Sequence, residues 1–252
     1  MCLDALQVPL AGYVAVEKDP CAKRVLESHY PNCTLVEDVL DITQDLVQKW
    51  AALYPNCLAA LVAGGPPCQG VSSLNATKKG AALDPRSCIH SKFKEVRGFC
   101  KRSFTWCPSY FRMESVASMS AEDRATYTQS AGVIPYKVDS RFLALCRRPR
   151  LWWFNWSIPV NEETEIFPAE SNSDQDFGEI RFHHQVSFKG FLRPGWKPVD
   201  ENEPFSTFTT AQPSRKPRLR PAGLERATEL DRQKWAADRH RFPLVLILIR
   251  MG

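Results

Sequence analysis

The stretch Leu58–Ser73 does most to limit what this chain can become. Leu58-Ala59-Ala60-Leu61-Val62-Ala63 is a short apolar run bounded by turn residues, which reads as a buried strand. Gly64 and Gly65 let the backbone turn sharply. Pro66 and Pro67 then stiffen the loop and remove two amide donors, so helix cannot resume at once. Cys68 is therefore expected on a rigid loop at the carboxyl end of a core strand, where open α/β sheets gather their chemistry. Such a loop holds a nucleophile at little entropic cost. A lone cysteine is more often a small buried hydrophobe. Packing alone, however, does not require Pro-Pro-Cys-Gln-Gly-Val-Ser-Ser, and Cys68 is read as a nucleophile.

The rest of the chain supplies strands and helices in alternation. Gly12–Val16 is strand-like, with Glu17 at its carboxyl end; Asp19-Pro20 then opens a helix, Asp19 as N-cap and Pro20 in the first turn. Thr34-Leu35-Val36 is a second strand, leading to Asp38 and Asp41. Asp41 is expected to cap a helix that begins near Thr43, and both acids also fit plain caps. This β-α-β-α-β progression into the Cys68 loop argues for a parallel sheet. Downstream, Lys92–Arg102 reads as an amphipathic helix, Phe104–Cys107 as a strand, and Leu151–Phe154 as a partly buried strand.

Composition changes after Pro159. Asn161–Glu179 is acidic and rich in Ser, Asn and Asp, as surface insertions are. Ile180–Leu192 alternates as strands do, Phe205–Thr210 is β-prone, and Glu225–His240 reads as a helix. Arg215, Lys216, Arg218 and Arg220 are separated by prolines that forbid helix, which suits either an extended strip along phosphates or a solvated linker. Lys78 and Lys79 make a second basic segment just after the Cys68 loop.

At 252 residues and 44% hydrophobic, the chain can bury one substantial core with a lobe attached. Nine cysteines without a Cys-x-x-Cys pair indicate neither a zinc site nor a disulfide framework, and fit a reducing compartment. A net charge of +5 permits a polyanionic partner without demanding one. Met1–Asp4 does not begin a signal peptide, and the longest apolar run, Leu244–Ile249, is too short to span a membrane.

Pro-Cys-Gln followed by a small residue, an apolar one and Ser resembles the catalytic loop of the DNA cytosine-5 methyltransferases. Met113-Glu114-Ser115-Val116 resembles that family's Glu-Asn-Val, with Ser115 a departure. Arg148-Pro149-Arg150 resembles the two arginines of its Gln-x-Arg-x-Arg, with Cys146 in place of Gln. Met113–Trp156 is nearest to the eukaryotic de novo type. The resemblance implies a Rossmann-like, doubly wound α/β domain that takes S-adenosylmethionine, with a small β-rich target-recognition lobe. It implies Cys68, Glu114, Arg148 and Arg150 as catalytic residues, and Glu17, Asp38, Gly65 and Pro66 at the cofactor, Glu17 on the ribose and Asp38 on the adenine amine. Ser72, Lys78, Lys79, Arg215, Lys216, Arg218 and Arg220 are expected on nucleic acid. The expected organisation is a catalytic core over 1–157, target recognition over 158–220, and a C-terminal return to the core over 221–252.

The implied reaction is methyl transfer to carbon 5 of a flipped-out cytosine in DNA through a covalent Cys68 adduct, without metal. In a eukaryote the expected compartment is the nucleus; otherwise it is the cytoplasm. An RNA methyltransferase of the same fold and a non-catalytic nucleic-acid-binding relative are the alternatives. The family's opening strand, its Phe-x-Gly-x-Gly turn and its closing Gly-Asn-Ser-like motif are not found in this sequence. Weak cofactor binding, weak activity and an exposed sheet edge are therefore expected.

Overall fold

The computed structural model describes residues 10–84, 89–142, 146–158, 162, 164–169 and 176–182, and the backbone of strands at 196–198, 205–206, 219–221 and 245–251. The first half alternates as the sequence suggests. Strands β1 (Leu10–Val16), β2 (Thr34–Val36) and β3 (Cys57–Gly64) are separated by helices α1 (Pro20–His29) and α2 (Gln44–Leu53). Helix α3 (Ile89–Ser103) precedes β4 (Ser109–Val116), and α4 (Ala121–Ala131) precedes β5 (Tyr136–Asp139). The two-residue β6 (Cys146–Arg147), then β7 (Pro149–Phe154), β8 (Thr164–Phe167) and β9 (Gly178–Phe182), follow. Short strands β10 (Trp196–Pro198), β11 (Phe205–Ser206) and β12 (Leu219–Pro221) come next, and β13 (Val245–Met251) is last.

Helix starts are fixed locally. Asp19 accepts from the amides of Cys21 at 2.8 Å and Ala22 at 2.9 Å, with Pro20 in the first turn of α1. The cap of α2 is Thr43, whose Oγ1 accepts from the Leu46 amide at 3.2 Å, and not Asp41 as expected. Thr43 immediately precedes the helix in extended conformation, whereas Asp41 lies inside the preceding 3-10 turn Val39–Asp41. Gly132 ends α4 at φ +72°, its amide donating to the Thr128 carbonyl at 2.8 Å.

Nine strands form one sheet in the order β2-β1-β13-β3-β4-β7-β5-β9-β8. The pairs β1–β2 and β3–β4 are parallel, and β13 runs antiparallel to both β1 and β3. The slot between β1 and β3, where an exposed edge was expected, is thus filled by β13, with Val16 opposite Val245 and Ala63 opposite Leu246. An unbroken β-prone run from residue 245 can pair on both sides, which removes two edges at once. Two further sequence expectations change. Phe104–Cys107 is a turn rather than a strand, because Phe104 inserts into the core with 1% exposure. Within the acidic stretch, Thr164–Phe167 adds to the sheet against β9, with Glu165 opposite Arg181 and Ile166 opposite Ile180. Residues 183–192 beyond β9 and the Glu225–His240 segment lie outside the described residues.

The principal core lies under α2, α3 and α4, where Phe111, Met113, Leu151 and Trp153 from β4 and β7 meet Phe93, Val96 and Tyr127. Trp153 is fully buried, packs edge-on to Tyr127 at 5.9 Å, and donates its indole N–H to Thr128 Oγ1 at 3.1 Å. Tyr13, Ala15 and Leu26 make a second cluster that joins α1 to the sheet. Among the described residues no helix is long and apolar enough to cross a membrane.

Replacing Trp153 removes a ring, an indole hydrogen bond and the aromatic contact together. Trp153→Ala should cost about 3–5 kcal/mol, read as a lower urea midpoint at unchanged slope. A loss below ~1 kcal/mol would mean that α4 is not locked to the sheet through this ring.

Candidate active site

The carboxyl ends of β3 and β4 lie side by side, with Gly64 opposite Met113. From Gly64 the chain turns through buried Pro66 into a 3-10 turn, Cys68–Gly70, closed by the amides that follow it: Val71 and Ser72 donate to the Cys68 carbonyl at 3.1 Å and 2.8 Å. Cys68 is half-buried there, on the stiff loop that its prolines predict. Asn75 braces this loop by donating to the Gln69 carbonyl at 2.7 Å.

Glu114 stands on β4, and Arg150 on the antiparallel neighbour β7, two residues diagonal to it and on the same face. Arg150 Nε lies 2.6 Å from Glu114 Oε1. Burial pushes the Arg150 guanidinium below its ordinary value, and neighbouring Arg148 adds to this; the charges of Glu114 and Cys68 oppose both. Of the four catalytic candidates, the structure brings Glu114 and Arg150 into direct contact. Arg148 and Arg150 do not stand on one strand as alternate residues. Arg148 lies in the gap between β6 and β7, exposed, its amide donating to Asp139 Oδ1 at 3.0 Å. The break falls at Arg148, whose amide is taken by the Asp139 carboxylate, and the ladder resumes at Pro149 opposite Asp139.

Gly65 touches the same carboxylate. A Cβ there would stand 2.9 Å from the Glu114 carbonyl oxygen and 3.0 Å from Oε2. Glycine is thus what lets the Cys68 loop lie against Glu114.

Glu17 ends β1 almost fully buried, at 5% exposure. Its Oε1 accepts from the Asp19 amide at 2.9 Å, while Oε2 has no partner among the described residues. An unpartnered buried carboxylate oxygen is costly unless a donor reaches it, so Glu17 suits a hydroxyl-bearing ligand. Asp38 is more occupied: it accepts from the Leu40 amide at 3.0 Å and pairs with Lys18, which together hold its carboxyl below the usual range.

Of the nucleic-acid candidates, Lys78 and Lys79 are exposed on the loop after Cys68. Ser72 is buried, its Oγ accepting from the Leu74 amide at 3.3 Å. Arg215, Lys216 and Arg218 lie outside the described residues, and Arg220 is described by its backbone, opposite Lys197 in the β10–β12 ladder. Sequence reasoning passed over Asp123 and Asp139. Each is a buried acid whose carboxylate accepts from the backbone of another segment, Asp123 from the Ala81 amide and Asp139 from the Arg148 amide, and a single chain carries no pattern that announces such contacts.

Gly65→Ala should destabilise the protein by about 1–3 kcal/mol, because the obstructing atom is a strand carbonyl that cannot retreat. Gly132→Ala is the comparison: nothing lies within 4 Å of its added Cβ, so only the left-handed backbone opposes it, at about 1–2 kcal/mol. Circular dichroism melts of both, with a structure of Gly65→Ala, would check this. An undisturbed Glu114–Arg150 pair in that variant would overturn the close-approach argument.

No family model matches the chain. Over 107 residues it is 34% identical to the type II methyltransferase M.AquIA of Picosynechococcus sp.. The matched stretch takes in 42% of this chain and 40% of that protein, so the chain spans less than half the length of this curated relative. It is a mixed α/β protein built on a central sheet, and a partial, distant relative of a methyltransferase.

Proposed function

We propose that this chain transfers a methyl group from S-adenosylmethionine to carbon 5 of cytosine in DNA, on a core of the Rossmann-like, doubly wound kind. One observation carries the reading: the Cys68 loop and the Arg150-paired Glu114 converge at the carboxyl ends of adjacent parallel strands. The methyltransferase relative supports the reaction class.

Carbon 6 of cytosine is electron-poor. The Cys68 sulfur forms a bond to it, and the electron pair of the 5,6 double bond moves onto carbon 5. Glu114 hydrogen-bonds ring nitrogen 3 and the exocyclic amine, which stabilises the charge that develops on the ring. Arg150 holds Glu114 in orientation through Oε1. When bound, S-adenosylmethionine supplies an electrophilic methyl group. After transfer, carbon 5 gives its proton to water, the electron pair it leaves restores the 5,6 double bond, and the sulfur–carbon 6 bond breaks with its pair returning to the Cys68 sulfur. The base must leave the stack for Cys68 to reach it.

Glu17, with its unpartnered buried Oε2, fits the two hydroxyls of the cofactor ribose. The Asp38 carboxylate would accept from the adenine amine while staying paired with Lys18. Lys78 and Lys79, with Arg215, Lys216, Arg218 and Arg220, are the proposed phosphate contacts. The proposed division is a core over 1–157, target recognition over 158–220, and a return to the core over 221–252.

Duplex DNA containing 5-fluorocytosine traps the covalent state, because fluorine does not leave as a proton does. Mass spectrometry should find the adduct on Cys68 and none in Cys68→Ser, while Glu114→Gln should slow its formation by about a hundredfold or more. A parallel arm with structured RNA tells the two substrates apart. An adduct on another cysteine, or faster trapping on RNA, would overturn the proposal.

Calorimetric titration with S-adenosylmethionine tests the ribose contact. Losing a charge-assisted bond in Glu17→Gln should weaken binding by about tenfold or more. An unchanged affinity would return Glu17 to a purely structural role.

A further inference from the structure

We infer that Asp123 is a positioning residue for Cys68, acting as a clamp on the neck of the loop that carries it. The inference rests on the reading of Cys68 as the nucleophile. The chain leaves the 3-10 turn at Gly70, makes an excursion through exposed Leu74, Lys78 and Lys79, and returns at Gly80. Where it returns, the Gly80 amide donates to the Gly70 carbonyl at 2.9 Å, which closes the excursion at its base. Gly80 has φ +85°, a conformation that suits glycine. The next amide, Ala81, donates to Asp123 Oδ1 at 2.6 Å. Asp123 is 7% exposed, on the first turn of α4, and its Oδ2 accepts from Ser120 Oγ at 2.7 Å. Both carboxylate oxygens are therefore satisfied, one by the loop and one by the helix cap.

The arrangement connects three parts of the molecule. Asp123 is anchored to α4, α4 is anchored to β7 through Thr128 and Trp153, and β7 carries Arg150. The loop's neck is thus referred to the same strand that orients Glu114. A Cβ on Gly80 would lie 3.0 Å from Asp123 Oδ1, so the fit is close from the loop side as well. Ala81 and Asp84, directly beyond the neck, are 1% and 2% exposed, and the Asp84 amide returns to the Gly80 carbonyl at 3.1 Å. The excursion has a fixed base and a free rim. The charge of the carboxylate strengthens the Ala81 bond relative to a neutral acceptor, and Asp123→Ala removes that bond from the base of the loop.

The test uses the full chain with Asp123→Ala, Asp123→Asn and Gly80→Ala. Two readouts do not depend on the reaction: trypsin cleavage after Lys78 and Lys79, and iodoacetamide alkylation of Cys68, normalised to exposed Cys21 by peptide mass spectrometry. In Asp123→Ala cleavage should rise about tenfold or more, and Cys68 alkylation about threefold or more. Asp123→Asn keeps an oxygen acceptor and should recover most of both. Gly80→Ala strains the neck from the other side and carries the same test if Asp123→Ala does not fold. Trapping on 5-fluorocytosine DNA should slow in step with the loosened neck. Unchanged cleavage and alkylation in Asp123→Ala and Gly80→Ala, or Asp123→Asn behaving as Asp123→Ala does, would overturn the clamp. Loosening as expected, with no adduct in the wild-type chain, would leave the clamp standing and sink the cytosine reading instead.

Discussion

A carboxylate half-withdrawn from water at the end of a sheet strand is costly unless something of opposite charge reaches it, and the Arg150–Glu114 contact meets that cost here. The contact is a diagonal pair across two antiparallel strands, so its geometry is set by ladder register rather than by flexible side chains. A one-residue slip of β7 would turn Arg150 to the other face and put Leu151 and Trp153 where the guanidinium belongs. The burial of Leu151 and Trp153 against α4 therefore fixes the position of Arg150, and Arg150 fixes Glu114. Core packing and site geometry are one constraint seen from two faces of the same strand.

The Cys68 loop meets this constraint from above. Its prolines limit its shape, Gly65 lets it approach the Glu114 backbone, and its return strand-side is held by a buried acid on α4. None of these contacts is strong alone. Together they leave the excursion between Gly70 and Gly80 as the part free to meet a large ligand, with two lysines and an exposed leucine on its rim. A rigid base with an adaptable rim suits the nucleophile and the polymeric substrate proposed for this site.

Much of this was legible from residues. The strands before and through Cys68 announce themselves by apolar runs with turn residues at their ends, and the Asp19-Pro20 start of α1 is set by side chains within three positions. Glu114 and Arg150 were legible as candidates; their pairing was not, because it depends on register. Local chemistry also misled. Asp41 was the expected cap of α2, but it lies inside a short 3-10 turn two residues before the actual cap, Thr43. Phe104–Cys107 has strand composition, and Phe104 was taken by the core instead. Asp123 and Asp139 were not found, since each contact spans elements that only the fold brings together.

The position of β13 bears on how the molecule assembles. The third strand in the sheet order comes from residues 245–251, while the strands it separates come from 10–16 and 57–64. Without that segment, β1 and β3 each present one open ladder edge, and among the described residues the two strands do not pair with each other. Joining them requires closure of a very long loop, the kind of non-local pairing that slows folding. During synthesis the two halves can meet through their shared apolar core, but the hydrogen-bond ladder between them waits for a segment far along the chain from either.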